Sequence, residues 1–314
     1  MRILVTSIGS MSAGFIISRL TQLGHYVIGC NVKLAVQCET SFLCDHFIEI
    51  PHSSDANLYL EAIKCAVVEY RVDAILPLTD PETRLLAKHV PFIQSFCPRV
   101  LSPDYSSIRV VGDKFILGES VARIRDIGCL TIPSELSPLQ AAERFGYPLI
   151  AKPRRGRSSQ GLKIFNGPDM HGDGSSYVDY VFQPFCSGSV CTFDAIMDPR
   201  SSEVFALGRR ELVRTESGAG LEVEILARKD FPGLYESVEM LMRAFEVRAL
   251  VNIEFLESGG RFYVMDFNLR ASAGIGYSFL AGSDFLGALV SGRSGWSDFF
   301  NCPASSLRLC WSDI

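Results

Sequence analysis

Glu254, Asp266 and Asn268 carry hard oxygen atoms at a spacing that could do chemistry. They lie in Val251 to Ser272, where the apolar runs Val251 to Phe255 and Arg261 to Phe267 flank a Glu257-Ser258-Gly259-Gly260 connection, and that pattern reads as a β-hairpin. Strand side chains alternate faces, so Asp266 and Asn268 share one face, and a hairpin partner can place Glu254 opposite them. Such oxygens converging on an apolar sheet are costly unless something positive compensates them. A Mg²⁺ ion would do so, because it prefers a few carboxylate or amide oxygens together with substrate phosphates. Arg270 follows on the same face, suited to holding an anion. A solvated polar stripe on an amphipathic hairpin explains this stretch equally well, and the rest of the chain has to decide.

A second group of residues is cationic. Tyr147 to Pro153 is a short strand with Lys152 near its end. It runs into Arg154-Arg155-Gly156-Arg157-Ser158-Ser159-Gln160-Gly161, and a second strand, Leu162 to Phe165, follows. Two strands joined by a basic Gly/Ser loop form a cover whose N–H groups, hydroxyls and cations can wrap a polyphosphate. A solvated basic turn is the bland reading. Lys152 weakens it, since it follows Ile150-Ala151 and would be half-buried with no anion to satisfy it.

The elements that must position these groups fall into two regimes. Arg2 to Ile8 is a nearly all-apolar strand. The turn Gly9 to Gly14, a helix over Phe15 to Leu23 and a strand over Tyr26 to Cys30 complete a βαβ unit, so the first region is expected to be a parallel, doubly wound sheet. Its Gly9/Gly14 spacing is not GxGxxG and Asn31 ends the second strand, which disfavours a nicotinamide cofactor. A helix over Ala56 to Tyr70 and a strand over Ala74 to Leu78 follow. Thr79, Asp80 and Glu82 then sit where such sheets bind ligands, although capping of the next helix by Asp80-Pro81 is slightly favoured. Helices are expected over Asp113 to Gly128 and about Pro138 to Phe145. Beyond them come strands over Val178 to Phe182, Cys191 to Met197, Val204 to Arg210 and Gly220 to Leu226, and a loop over Asn166 to Ser176. A helix over Leu234 to Phe245, the hairpin, and a helix over Phe279 to Val290 complete an antiparallel α+β pattern.

The 314 residues suffice for roughly two domains, and 47% hydrophobic with 21% charged residues is an ordinary globular composition. A net charge of −5 argues against general nucleic-acid or anionic-membrane binding. The apolar start is broken at once by Thr, Ser and Gly and reads as a first strand, not a signal peptide, and no uncharged stretch reaches membrane-spanning length. The 10 cysteines form no CxxC pair, which fits a reducing cytoplasm better than a disulfide framework or zinc site. No Ser-His-Asp or Cys-His set is evident, and none of the 5 histidines clusters with other ligand types.

Taken in order, these motifs resemble the ATP-grasp superfamily, in particular the carbamoyl-phosphate synthetase-like and biotin-carboxylase-like branch, over nearly the whole chain. Asp113-Lys114 looks like the family's DK pair, with Lys114 on nucleotide phosphate. Lys152, Gly156, Ser158, Ser159 and Gly161 look like the KPxxGxxSxG lid. Phe182 to Gly188, with Gln183, Pro184, Phe185 and Cys186, looks like the adenine-holding linker. Gly208-Arg209-Arg210 resembles the basic strand that reaches the phosphates, and Asp266 to Arg270 resembles the E-x-N-P-R signature, with Glu254 as the partner acid. The departures are Asp266 for glutamate, Leu269 for proline, Gln183 where glutamate is frequent, and Val190 where a ribose-binding acid often stands, with Asp194 a candidate substitute. The stretch from Asn166 to Ser176 is also too short and Gly-rich for the usual helix.

The resemblance implies a doubly wound parallel-sheet domain over residues 1–110, a lid subdomain over 111–182 and a C-terminal subdomain with the metal site over 183–314. It implies ATP and Mg²⁺, with Mn²⁺ able to take its place, and small acid and amine substrates. It implies a cytoplasmic enzyme, compatible with homo-oligomers, that needs neither nucleic acid nor membrane. The implied reaction activates a carboxylate as an acyl phosphate for attack by an amine, giving ADP and phosphate. Glu254, Asp266 and Asn268 would hold the metal, Lys114, Lys152 and the lid the phosphates, and Arg210 and Arg270 the transferring phosphoryl and the oxyanion. The alternatives are kinase-like transfer to a small acid and a non-catalytic nucleotide-binding protein.

Overall fold

The computed structural model describes residues 1–156, 160–168, 177–216, 218–293 and 295–313. Ser158 and Ser159 of the expected lid, and residues 169–176 of the expected loop, lie outside these.

The first region contains β1 (Arg2–Thr6), α1 (Ala13–Gln22), β2 (Tyr26–Asn31), β3 (His46–Glu49), α2 (Ala56–Tyr70), β4 (Ala74–Pro77), α3 (Asp80–Lys88), α4 (Val90–Ile93), β5 (Arg99–Val100) and α5 (Tyr105–Val111). Its five strands are all parallel, in the order β3-β2-β1-β4-β5. The apolar run of β1 serves both faces: Ile3 and Val5 pack with Ile16 and Leu20 of α1, and Leu4 packs with Tyr59 and Ile63 of α2. Each such buried side chain contributes about 1.5–3 kcal/mol over an exposed one.

Next come α6 (Lys114–Val121), β6 (Leu130–Thr131), α7 (Pro138–Phe145), β7 (Leu149–Pro153), β8 (Lys163–Phe165) and β9 (Tyr180–Pro184). A small sheet, β8-β7-β9, packs Leu149, Ala151, Phe165 and Phe182 against Ala141 of α7. The expected helix over Asp113 to Gly128 is shorter. It stops at Val121, and Arg123 and Ile124 turn instead, donating in 3₁₀ fashion to Ser120 O and Val121 O, ahead of Asp126 at φ 60°.

The remainder comprises β10 (Ser189–Met197), β11 (Val204–Arg214), β12 (Gly220–Leu226), α8 (Pro232–Ala244), β13 (Val251–Ser258), β14 (Arg261–Asn268), α9 (Ile275–Leu280), α10 (Phe285–Val290) and β15 (Arg308–Cys310). These strands and β6 form a seven-stranded sheet, β15-β12-β11-β10-β13-β14-β6, antiparallel except where β6 joins β14. The expected hairpin is β13–β14. Gly259 and Gly260 both have positive φ, 57° and 72°, which a two-residue turn matching strand twist requires. The expected helix over Phe279 to Val290 is two helices. Gly282 at φ 88° ends the first, and Asp284 caps the second by accepting from Gly287 N at 2.9 Å.

One apolar cluster joins Ile3, Val5 and Ile16 of the first sheet to Leu207, Ile225 and Phe285, so the two large sheets are packed together. Division at residues 110 and 182 remains our proposal. Within it, Leu117 and Val121 of α6 pack with Phe255 and Phe267 of the seven-stranded sheet, not with the lid. No helix among the described residues is long and apolar enough to cross a membrane.

Gly208 in β11 lies under the ring of Phe193, and a Cβ there would meet Cζ at 2.3 Å. Gly208→Ala should therefore cost about 1–3 kcal/mol through overpacking. Urea denaturation checks this, and an unchanged midpoint would contradict the packing.

Candidate functional site

The register across β11, β10, β13 and β14 builds one polar face. Arg209 stands opposite Thr192, Thr192 opposite Glu254, and Glu254 opposite Asp266. One row along, Asp194 stands opposite Asn252 and Asn252 opposite Asn268. A register shift beside Glu254 leaves Met265 as an extra residue, so Met265 and Asp266, although adjacent, both line the same cavity. That cavity is about 620 Å³. Glu254 receives Asn268 Nδ2 at 2.7 Å. Burial, and then the charges of Asp266 and Glu211, push the Glu254 carboxyl above its ordinary range. A buried carboxyl raised by neighbouring carboxylates in this way suits a cation. Among the described residues no group of three or more His, Cys, Asp or Glu gathers as a metal site; the oxygen set here is two carboxylates and one amide.

The cations come from the lid side. Asp113 caps α6, accepting from Phe115 N at 3.1 Å and Ile116 N at 3.3 Å, and also binds Arg154 Nη2 at 3.0 Å. The root of the basic loop is thereby fixed to α6. Lys114 N donates to Arg154 O at 3.0 Å, and Lys114 Nζ lies 2.9 Å from Asp266 Oδ2 and 3.4 Å from Gly156 O. Ile150 and Lys152 alternate onto the same face of β7 and both reach the cavity. Burial pushes the Lys152 ammonium below its usual range, Asp266 and Glu254 oppose that, and Lys114 adds to it. Ile150, Leu162, Val190 and Met265 give the cavity an apolar slot beside these cations.

The first sheet closes the other end. Ser7, Gly9, Ser10, Met11 and Ser12, after β1, line the cavity with Thr79 and Glu82. The Glu82 carboxylate is already engaged by Thr6 at 2.8 Å, Tyr59 at 3.1 Å and Thr79 at 2.7 Å. Asp80 is not a helix cap. Its Oδ1 accepts from Leu269 N at 2.8 Å, and its Oδ2 lies 3.3 Å from Arg270 Nε.

Of the residues expected from sequence, Lys114, Lys152, Gly156, Glu254, Asp266, Asn268 and Arg270 line this cavity. Arg210 does not, which is a correction. It points to the opposite face, bound to Glu257 at 2.8 Å and over the Phe231 ring, because strand alternation gives the cavity Arg209 instead. Gln183, Pro184, Phe185 and Cys186 also do not line it: Gln183 Nε2 donates to Ser134 Oγ at 2.8 Å, and Phe185 N to Pro148 O at 3.0 Å. Gly161 packs against Tyr180 and Pro153. Asp194 lies fully buried, with Oδ2 accepting from Arg209 Nη1 at 2.8 Å and Ser278 Oγ at 2.7 Å. Arg209 lines the cavity from the expected basic strand, and Glu211, Arg214, Asn252 and Ser272 line it with no signal in the sequence. Both neighbours in Arg209-Arg210 are charged, so the sequence could not say which faces inward.

Residues 176–308 match a family described as "ATP-grasp in the biosynthetic pathway with Ter operon". No curated protein matches the chain in sequence. Three solved structures illustrate the fold. The biotin carboxylase domain of Hydrogenobacter thermophilus 2-oxoglutarate carboxylase, in complex with MgADP, ADP and bicarbonate, has TM-score 0.72 at 15% identity, over 93% of this chain and 70% of that one. Staphylococcus aureus N5-carboxyaminoimidazole synthetase with ADP has TM-score 0.74 at 15% identity, over 94% and 78%. The L-amino acid ligase of Bacillus licheniformis has TM-score 0.72 at 14% identity, over 95% and 76%. The chain has the ATP-grasp fold.

Lys152 makes a prediction about the free protein. Its pKa is lowered on folding, so the unfolded chain takes its proton first as pH falls through the usual value of 10.5. The resulting penalty is present at neutral pH and absent above that range. Lys152→Met should thus gain stability over wild type at pH 7, and the gain should shrink as pH rises through 10.5. Urea midpoints at both pH values check it, and a pH-independent difference would remove the buried-charge account.

Proposed function

We propose that the chain is an ATP-dependent carboxylate–amine ligase, giving ADP and phosphate. One observation carries this reading: Lys114, Lys152, Glu254, Asp266 and Asn268 face a single cavity that extends past Arg270 to the turn after β1. Cations beside clustered oxygen donors suit a metal-bridged polyphosphate, and the extension leaves room for further substrates. Glu254, Asp266 and Asn268 would hold Mg²⁺, which when bound neutralises phosphate charge. Lys114 and Lys152 would hold the phosphate tail, with Gly156 of the lid beside them. The acid's carboxylate attacks the γ-phosphorus, the bond to ADP breaks, and an acyl phosphate forms. The amine then displaces phosphate from the acyl carbon.

Holding two mutually repelling anions in line is the difficulty, and fixed cations meet it by position and charge. Arg270, oriented by Asp80, would face the acid. Arg209 takes the place first given to Arg210. It is held by Asp194 and by Ser272 Oγ at 3.1 Å, so its guanidinium is set before substrate arrives. Of the solved structures with this fold, one holds MgADP and bicarbonate, one holds ADP and is named for carboxyaminoimidazole chemistry, and one is named an amino acid ligase, which supports a small acid here without identifying it.

The test is ADP release with Mg²⁺, screened over amino acids and small acids singly and in pairs. Release that needs both members is expected. Release with one acid alone would favour kinase-like transfer, and no release with any pair would remove the reading. With a productive pair, Asp266→Ala and Lys152→Ala should each abolish ADP formation while circular dichroism stays unchanged. Arg209→Met should lose about 10²-fold or more in kcat, the scale of a lost charge-stabilising group. Arg210→Met should stay within a few fold, and equal losses at both positions would refute the assignment of faces.

A further inference from the structure

We infer that Asp80 is a positioning residue that takes over the work of the proline in the family signature: through Leu269 and Arg270 it sets the acid-side arginine from the parallel sheet. The consequence for the acid rests on the ligase reading above, whereas the setting of the arginine does not.

Leu269 follows the last residue of β14 and stands between Asn268 and Arg270. Its side chain is 1% exposed, in one apolar cluster with Ile108, Val111 and Phe267. A proline at this position would fix its own φ and restrict the backbone of the residue before it. Leucine does neither, and it adds a main-chain N–H in a buried place, which needs an acceptor. Asp80 Oδ1 supplies that acceptor at 2.8 Å. The two features compensate each other. Leu269 brings a donor that proline lacks, and the carboxylate at the end of β4 restores the restraint that proline would have given.

The same carboxylate reaches the next side chain. Its Oδ2 lies 3.3 Å from Arg270 Nε and makes no hydrogen bond of proper geometry, so it holds the guanidinium by charge. Arg84, another cation beside Asp80, is turned to Gly112 O. Arg270 Nη1 donates to Ala271 O at 3.0 Å, which leaves Nη2 as the terminal nitrogen with no hydrogen bond among the described residues. Arg270 lines the cavity and Asp80 does not, so Asp80 meets a substrate only through the arginine. Asp80 belongs to the parallel domain and Arg270 follows the seven-stranded sheet, so the arginine is aimed only while the two are packed together. Loss of either half of the tie, the carboxylate or the Leu269 N–H, releases it.

Three variants of the full chain separate the tie from the packing. Asp80→Ala removes the tie, Leu269→Pro removes its main-chain half, and Leu269→Ala trims the side chain but keeps the N–H. With a productive pair of substrates, Asp80→Ala and Leu269→Pro should each raise KM for the acid about 10-fold or more, the scale of one hydrogen bond to a charged group, and leave KM for ATP within a few fold. Leu269→Ala should lower the urea midpoint and keep both KM values. The double variant Asp80→Ala/Leu269→Pro should be no worse than the poorer single one, because two halves of one contact are not additive. Effects that multiply in the double variant would overturn the inference. So would an acid KM raised as much by Leu269→Ala as by Leu269→Pro. A further measurement needs no substrate: the order parameter of Arg270 Nε, from NMR relaxation of arginine-labelled protein. It should be near that of rigid backbone, about 0.85, in wild type and fall below about 0.6 in Asp80→Ala. A value below about 0.6 in wild type would overturn the inference by itself. An ordered Nε together with no ADP release for any acid would instead overturn the ligase reading.

Discussion

The site depends on strand register before it depends on any single residue. Side chains alternate faces along a strand, so a slip by one residue would turn Arg209, Thr192, Glu254 and Asn268 away from the cavity together. Two things hold the register. On the opposite face, Phe193, Phe255 and Phe267 are buried against α8, and a slip would expose them. At the hairpin tip, only residues that tolerate positive φ can make the two-residue turn, which fixes the pairing of Glu257 with Phe262. The break in that register beside Glu254 is equally specific. It lets Met265 extend the apolar slot while Asp266, its neighbour, faces the lysines.

The parallel sheet is tied to this face through a departure from the familiar signature. Where the resemblance leads one to expect proline, the chain has Leu269, and its N–H donates to Asp80 at 2.8 Å. Proline has no such donor. Asp80 also holds Arg270, so one carboxylate at the end of β4 sets both the docking of the two sheets and the direction of a cavity arginine. The position of Asp80 at a strand's carboxyl end favours ligand binding, and its Asp-Pro context favours a cap. The observed role is neither, because its partners come from a segment 189 residues away.

How much was legible follows from the range of the forces. Local pattern sufficed for the parallel βαβ unit, for α2 and α7, and for the polar hairpin, since periodicity and turn chemistry act over a few residues. It failed at Phe279 to Val290, where apolar spacing runs through a break made by Gly282 and re-capped by Asp284. Glu254, Asp266, Asn268, Lys114 and Lys152 stood out because charged groups in apolar strands demand an explanation. Sequence alone does not separate Arg210 from Arg209, because both are charged and each finds a carboxylate on its own face of β11. Gln183 could not be placed either. Its partner Ser134 lies 49 residues upstream.

The cavity cations are of two kinds, and the difference bears on mechanism. Arg209 is 2% exposed and held by Asp194 at 2.8 Å, with Ser272 on its other terminal nitrogen. Both terminal nitrogens are already engaged, and the Cβ that Gly274 lacks would crowd its guanidinium at 3.1 Å. Such a group cannot follow a ligand, and it acts by being in place. Lys152 has no hydrogen bond among the described residues, and its charge is held at a cost in the free protein. An anion placed beside it would relieve that cost. Lys114 stands between, satisfied by Asp266 in the free protein. The Asp266 carboxylate that satisfies it stands opposite Glu254, so two lysines and two acids share one cluster of charge beside an arginine whose place is fixed.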